Sequence, residues 1–213
     1  MRIVTAAPEY LDIDAFVDDV LRRSAGCPRT VVGIDGLGGS GKSTLAGLIA
    51  SRLGAAVIHV DDFYLPSTMR TSRAGQVGAL FDLSRLATQV ITHAASGVAL
   101  RYQRYDWDQD ELADWTEVPA GLPVIIEGVY SLHEPFRSAY TSSVFCVADR
   151  SVRLRRGLER DGEELRAMWE NEWIPAEDAY VAAEHPESYA TVVVDSSTGR
   201  SGSPQFQIRA YRV

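Results

Sequence analysis

Lysine is nearly missing from this sequence. Its 213 residues hold a single one, Lys42, and every other basic side chain is arginine. A GC-rich genome produces that bias without any function. Cysteine is also scarce. Cys27 and Cys146 lie far apart, with no metal-type spacing and no basis for a disulfide framework. They read as buried free thiols in a reduced cytoplasm. The four histidines, His59, His93, His133 and His185, show no paired ligand spacing, which excludes a zinc site of the usual kind. No apolar run reaches the ~18 residues that span a bilayer. The N-terminal "MRIVTAAPEY" lacks a basic region followed by an apolar one, so no signal peptide is expected. A formal charge of −8 excludes the basic footprint of a nucleic-acid coat. The expectation is a cytoplasmic protein with neither nucleic acid nor membrane as partner.

Hydrophobic residues make up 46%, enough for a sizeable core, and the length fits one domain over 1–213. Apolar residues at Ile13, Phe16, Val17, Val20 and Leu21 predict an N-terminal helix over 12–25. Short apolar runs predict strands at Thr30–Asp35, Ala55–Val60, Pro123–Gly128, Ser143–Ala148 and Ala190–Asp195. Helical stretches fall between them, at Lys42–Leu53, at Phe81–Ser96, and over 150–174 with a break near Asp161 and Gly162. Strands alternating with helices predict an α/β fold of three layers, a mostly parallel sheet with helices on both faces. The tail, 196–213, has turn composition and then a short edge strand.

The segment "VVGIDGLGGSGKSTLAG" places Gly36, Gly41, Lys42 and Ser43 in the pattern G-x-x-x-x-G-K-[ST], between a predicted strand and a predicted helix. Glycines let backbone N–H groups approach phosphate oxygens, and the helix directs its positive dipole end at the same place. Gly36, Gly38, Gly39, Ser40, Gly41 and Thr44 complete such a cradle. Lys42 supplies a slim cation for the β- and γ-phosphates, and the Ser43 hydroxyl can ligand Mg²⁺. The loop is therefore expected to hold a nucleoside triphosphate, ATP, with Mg²⁺. An N-K-x-D guanine reader is excluded, because the chain has one asparagine, Asn171, and one lysine. No L-S-G-G-Q stretch of the transporter ATPases is present.

"VIHVDDFY" puts Asp61 and Asp62 at the carboxyl end of the second strand, the edge where open α/β sheets bind ligands. Phosphoryl transfer to an alcohol needs a carboxylate that accepts the hydroxyl proton, and a second can hold Mg²⁺ or substrate. Glu127 ends the third strand, where an ionised group has little reason to be unless it serves a metal. Arg153, Arg156 and Arg160 fall at i, i+3 and i+7, on one helical face, while Arg155 lies off it. Trp169 and Trp173, at i and i+4, read as a packed helix face.

"GIDGLGGSGKST", "HVDDFY", "RYDW", "VIIEGVY" and "RLRRGLERD", in that order, resemble the uridine kinase family, which belongs with phosphoribulokinase, pantothenate kinase and nicotinamide riboside kinase. The similarity runs from about Val31 to Asp195. The resemblance implies a P-loop kinase with a small helical lid at about 150–162, using ATP and Mg²⁺ to phosphorylate a 5′-hydroxyl. It implies Asp61 as general base, Glu127 beside Ser43 on Mg²⁺, and Arg153, Arg156 and Arg160 as lid cations over the phosphates. It implies substrate contacts from Tyr105 and Asp106, with Asp62, Tyr64 and Asp82 beside them. Two features depart from the family pattern. The stretch from Asp108 to Trp115 has no histidine to read a pyrimidine, and the family's F-D-H-P stretch has no clean match near Asp82. The expected acceptor is a nucleoside. Another alcohol, such as nicotinamide riboside or a vitamin precursor, stays open, as do a non-catalytic ATP sensor and a homo-oligomer.

Overall fold

The computed structural model describes residues 9–70, 77–198 and 205–212. The stretch 1–8, which carries most of the leader reading, and residues 199–204 and 213 of the tail lie outside the described residues. The central sheet has six strands in the order β2-β5-β1-β6-β7-β8. They are β1 (Val31–Gly36), β2 (Ala56–His59), β5 (Val124–Glu127), β6 (Ser142–Val147), β7 (Val192–Asp195) and β8 (Gln207–Tyr211). All neighbours are parallel except β7 and β8, so the predicted edge strand in the tail is present and antiparallel.

Side-chain alternation separates the layers. From β1 and β5, Val32, Ile34 and Ile125 enter one core with α1 (Ile13–Arg23) and α2 (Lys42–Leu53). Val31, Val124 and Ile126 enter the other core, under α3 (Leu83–Leu86) and α4 (Thr92–Ala95). A π-helical turn, Ala87–Ile91, joins α3 to α4 in one helix. β1 is buried on both faces, the usual state of a central parallel strand. The three-layer α/β architecture is thus as predicted.

Local chemistry sets the helix ends. Asp12 caps α1 by accepting the N–H groups of Asp14 and Ala15 at 2.9 and 3.1 Å. Gly54, in the left-handed region at φ 64°, ends α2. The stretch from Arg101 to Trp115, with no predicted secondary structure, forms a separate antiparallel hairpin of β3 (Leu100–Asp106) and β4 (Glu111–Val118). α5 (Arg150–Asp161) covers the predicted lid, followed by α6 (Arg166–Met168), a π-helical turn at Trp169–Trp173, and α7 (Ile174–Glu184). Of the two thiols, Cys146 is buried as expected. Cys27 is exposed, because it lies in the turn after α1. Among the described residues no helix is long and apolar enough to cross a membrane.

Candidate active site

A cavity of about 920 Å³ opens where the phosphate loop, the end of β2, the end of β5 and helices α5 and α7 converge. The parallel register explains the meeting. Ile34, two residues before the loop's first glycine, pairs with Glu127 of β5, and Glu127 pairs in turn with His59 of β2. Loop, acid and the turn carrying Asp61 therefore leave the sheet at the same edge.

The loop contributes Gly38, Gly39, Gly41, Lys42, Ser43 and Thr44 to the cavity wall. Gly36 and Ser40 lie beneath it. Ser40 is fully buried, and its carbonyl accepts the Ser196 hydroxyl at 2.9 Å. Gly39 has φ +74°, and a Cβ there would stand 2.4 Å from the Arg153 carbonyl, so only glycine fits. Lys42 is 8% exposed, and its ammonium donates to the Leu37 carbonyl at 3.1 Å.

Asp61, in the 3₁₀ turn Val60–Phe63 after β2, faces the same cavity. Its carboxylate is open to cavity solvent yet enclosed by protein, and this desolvation raises its pKa above the usual carboxylate range. The Lys42 ammonium opposes the rise and the Glu127 charge adds to it. Glu127 is 4% exposed and bonds His59 Nδ1 through Oε1 at 2.5 Å. Burial is the largest influence on its pKa and acts upward. The His59 bond, Lys42, the His59 charge and the Ser43 hydroxyl outweigh it, leaving the carboxyl below its ordinary value. The Glu127 bond in turn raises the His59 pKa. His59 is absent from the residues that the sequence singles out; its place as the last residue of β2, two positions before Asp61, is the signal that points to it.

The lid arginines divide. Arg156 and Arg160 line the cavity. Arg156 donates to the Gly39 carbonyl at 3.2 Å and to the Ser196 hydroxyl at 2.9 Å, and Arg160 pairs with Asp161 at 2.6 Å. Arg153 departs from the expected lid position. It is 3% exposed, is not on the cavity wall, and donates from Nη1 to Glu177 Oε2 at 3.2 Å. Glu177, missing from the sequence reading, reaches the wall from α7.

The expected acceptor contacts divide as well. Tyr64 lines the cavity, edge-on to Phe81 with ring centroids 5.0 Å apart. Asp62, Asp82, Tyr105 and Asp106 do not line it. Asp62 lies beside His59 and Arg104, and burial raises its pKa. Asp82 caps α3 through the Arg85 N–H at 2.9 Å. The Tyr105 hydroxyl donates to Asp110 Oδ1 at 2.6 Å, and Asp106 closes the hairpin turn by accepting the N–H groups of Asp108 and Gln109. The remaining wall is aromatic and aliphatic, with Phe81, Trp107, Tyr130 and Trp173 prominent. Trp169 is 2% exposed and packs on Leu158 of α5 as expected, and both it and Trp173 border the cavity.

The sequence profile of the phosphoribulokinase/uridine kinase family matches residues 31–168. Among solved structures, a possible uridine kinase from Bacillus stearothermophilus superposes with a TM-score of 0.65 at 24% identity, covering 85% of this chain and 96% of that one. A candidate fructose transport system kinase from Silicibacter sp. TM1040 gives a TM-score of 0.65 at 21% identity, covering 81% and 95%. Both likenesses show the fold. The family match covers well over half of the sequence, with the phosphate loop, Asp61, Glu127 and the lid arginines inside it, so the chain belongs to the phosphoribulokinase/uridine kinase family, a family of small-molecule kinases.

Proposed function

We propose that the protein transfers the γ-phosphoryl group of ATP to the hydroxyl of a nucleoside, at the 5′ position. The observation that carries this reading is the shared cavity. Asp61 lines the same space as Lys42, Ser43 and Glu127, and the Lys42 and Glu127 charges are near enough to act on its carboxylate. The loop amides and Lys42 bind the polyphosphate. Asp61 accepts the proton of the acceptor hydroxyl as its oxygen attacks the γ-phosphorus, and ADP leaves. Arg156 and Arg160 approach from the lid helix and offset charge on the transferring group.

The residues at the loop fit Mg²⁺. Ser43 and Glu127 are hard oxygen donors side by side, and among the described residues no group of three His, Cys, Asp or Glu forms a complete cage. That partial set suits an ion that keeps waters and takes phosphate oxygens as ligands. Mg²⁺, when bound, supplies charge neutralisation on the phosphates.

A second reading of the acceptor has its own support. Asp82, Tyr105 and Asp106, which would grip a ribose and base, are spent on local hydrogen bonds, and the cavity beyond Asp61 is walled by aromatic and aliphatic groups. These walls suit an alcohol held by stacking and apolar contact rather than by a carboxylate clamp. A screen of nucleosides and related alcohols for ATP-dependent phosphorylation separates the two. Nucleosides phosphorylated ahead of other alcohols support the first reading, other alcohols ahead of nucleosides support the second, and no acceptor at all overturns both.

A further inference from the structure

Helix α7 touches the phosphate loop at two points one helical turn apart. Glu177 Oε2 accepts the Gly38 N–H at 2.9 Å. Three residues on, the Tyr180 hydroxyl donates to Asp35 Oδ2 at 2.6 Å, and Asp35 Oδ1 accepts the Gly36 N–H at 2.6 Å. One helix therefore fixes the crown of the loop and its base. The contact at the crown leaves no slack, since a Cβ on Gly38 would stand 2.8 Å from Glu177 Oε1 and from the Trp169 ring. Glu177 is 7% exposed, so its charge requires compensation, and Arg153 of α5 provides it from 3.2 Å. The lid helix thus joins the same contact, and its backbone lies directly on Gly39.

We infer that Glu177 is a positioning residue of the phosphate loop: its carboxylate holds the Gly38 peptide and sets the loop for nucleotide before any nucleotide arrives. The inference rests on the nucleotide-binding part of the reading above and is independent of the acceptor. A purely structural role for the buried Glu177–Arg153 pair would depend on charge. The positioning role depends on reach to the Gly38 N–H. Two substitutions separate these. Glu177→Gln keeps an acceptor oxygen at the same reach and loses the charge, whereas Glu177→Asp keeps the charge and pulls the oxygen back by one methylene.

Two measurements apply to the protein of residues 1–213: amide hydrogen exchange at Gly38 without nucleotide, and the dissociation constant of ADP with Mg²⁺. Arg150→Ala, which removes an exposed partner of Asp178, is the control. We expect slow Gly38 exchange in wild type and in Glu177→Gln, with ADP affinities within about threefold of each other. Glu177→Asp should exchange faster at Gly38 and bind ADP about tenfold more weakly, on the scale of one lost hydrogen bond to a charged group. The reverse order of the two variants, wild-type ADP affinity in both, or equal losses in both overturns the assignment alone. A wild-type protein that binds no ADP overturns the kinase reading with it.

Discussion

At Asp61 the carboxylate is enclosed by protein and still open to the cavity, and its pKa is raised by that enclosure. A base must be ionised to accept a proton, so kcat/KM should rise with pH along a limb displaced above the ordinary carboxylate range. Asp61→Asn should lower kcat by about 10²–10⁴-fold and leave ATP binding in place. A pH–rate profile with an unshifted acid limb would argue against Asp61 as the group observed. Asp35 gives a separate residue-scale expectation. It is fully buried, and burial pushes its pKa up to about 6, against the bonds from Tyr180, Leu132 and Gly36. The folded state then holds a proton on Asp35 that the unfolded chain gives up near pH 4. Its contribution to stability is complete below pH 4 and is lost as pH rises to 6, amounting to about 3 kcal/mol. Denaturant titrations should show the stability difference between wild type and Asp35→Asn narrowing or reversing over that window. A difference constant with pH would contradict the shift.

At the scale of elements, the lid is tightly fitted. A Cβ on Gly157 of α5 would stand 2.4 Å from the Trp169 ring, a rigid fused system with no free end to move. Gly157→Ala should therefore cost about 1–3 kcal/mol by overpacking, measured as a shift of the unfolding midpoint. An alanine variant as stable as wild type would mean that α5 and Trp169 stand farther apart. What the sequence could reveal follows from how local each signal is. The phosphate loop is contiguous, and Glu127 announces itself as an acid closing an apolar strand. The hairpin is less legible: the alternation of β3 is broken by a register shift after Gln103, and seven of the eight β4 positions are at least partly exposed. Arg153 and Glu177 are 24 residues apart, on different helices, and nothing near either one signals the other. Arg153 therefore looked like its neighbours Arg156 and Arg160. Asp82, Tyr105 and Asp106 have side chains suited to a sugar or a base, but capping and turn bonds satisfy them equally well, and only the tertiary structure shows which.

For the molecule as a whole, the one-domain reading of 1–213 predicts a single cooperative unfolding transition, with fluorescence and circular dichroism following the same curve. Two resolved transitions would contradict it. A nucleotide that binds the folded loop must also stabilise the whole sheet. ADP at about 100 times its dissociation constant should add about 2.7 kcal/mol and raise Tm by roughly 5–10 °C in a chain of this size. Lys42→Met should abolish most of that rise. The most direct test of the central claim follows the phosphate itself, using ATP labelled in the γ position and a panel of nucleosides and other alcohols. Wild type should yield a labelled phosphate monoester, and Asp61→Asn, still binding ATP, should yield almost none. A labelled ester formed equally by both proteins, or by neither, would contradict the account.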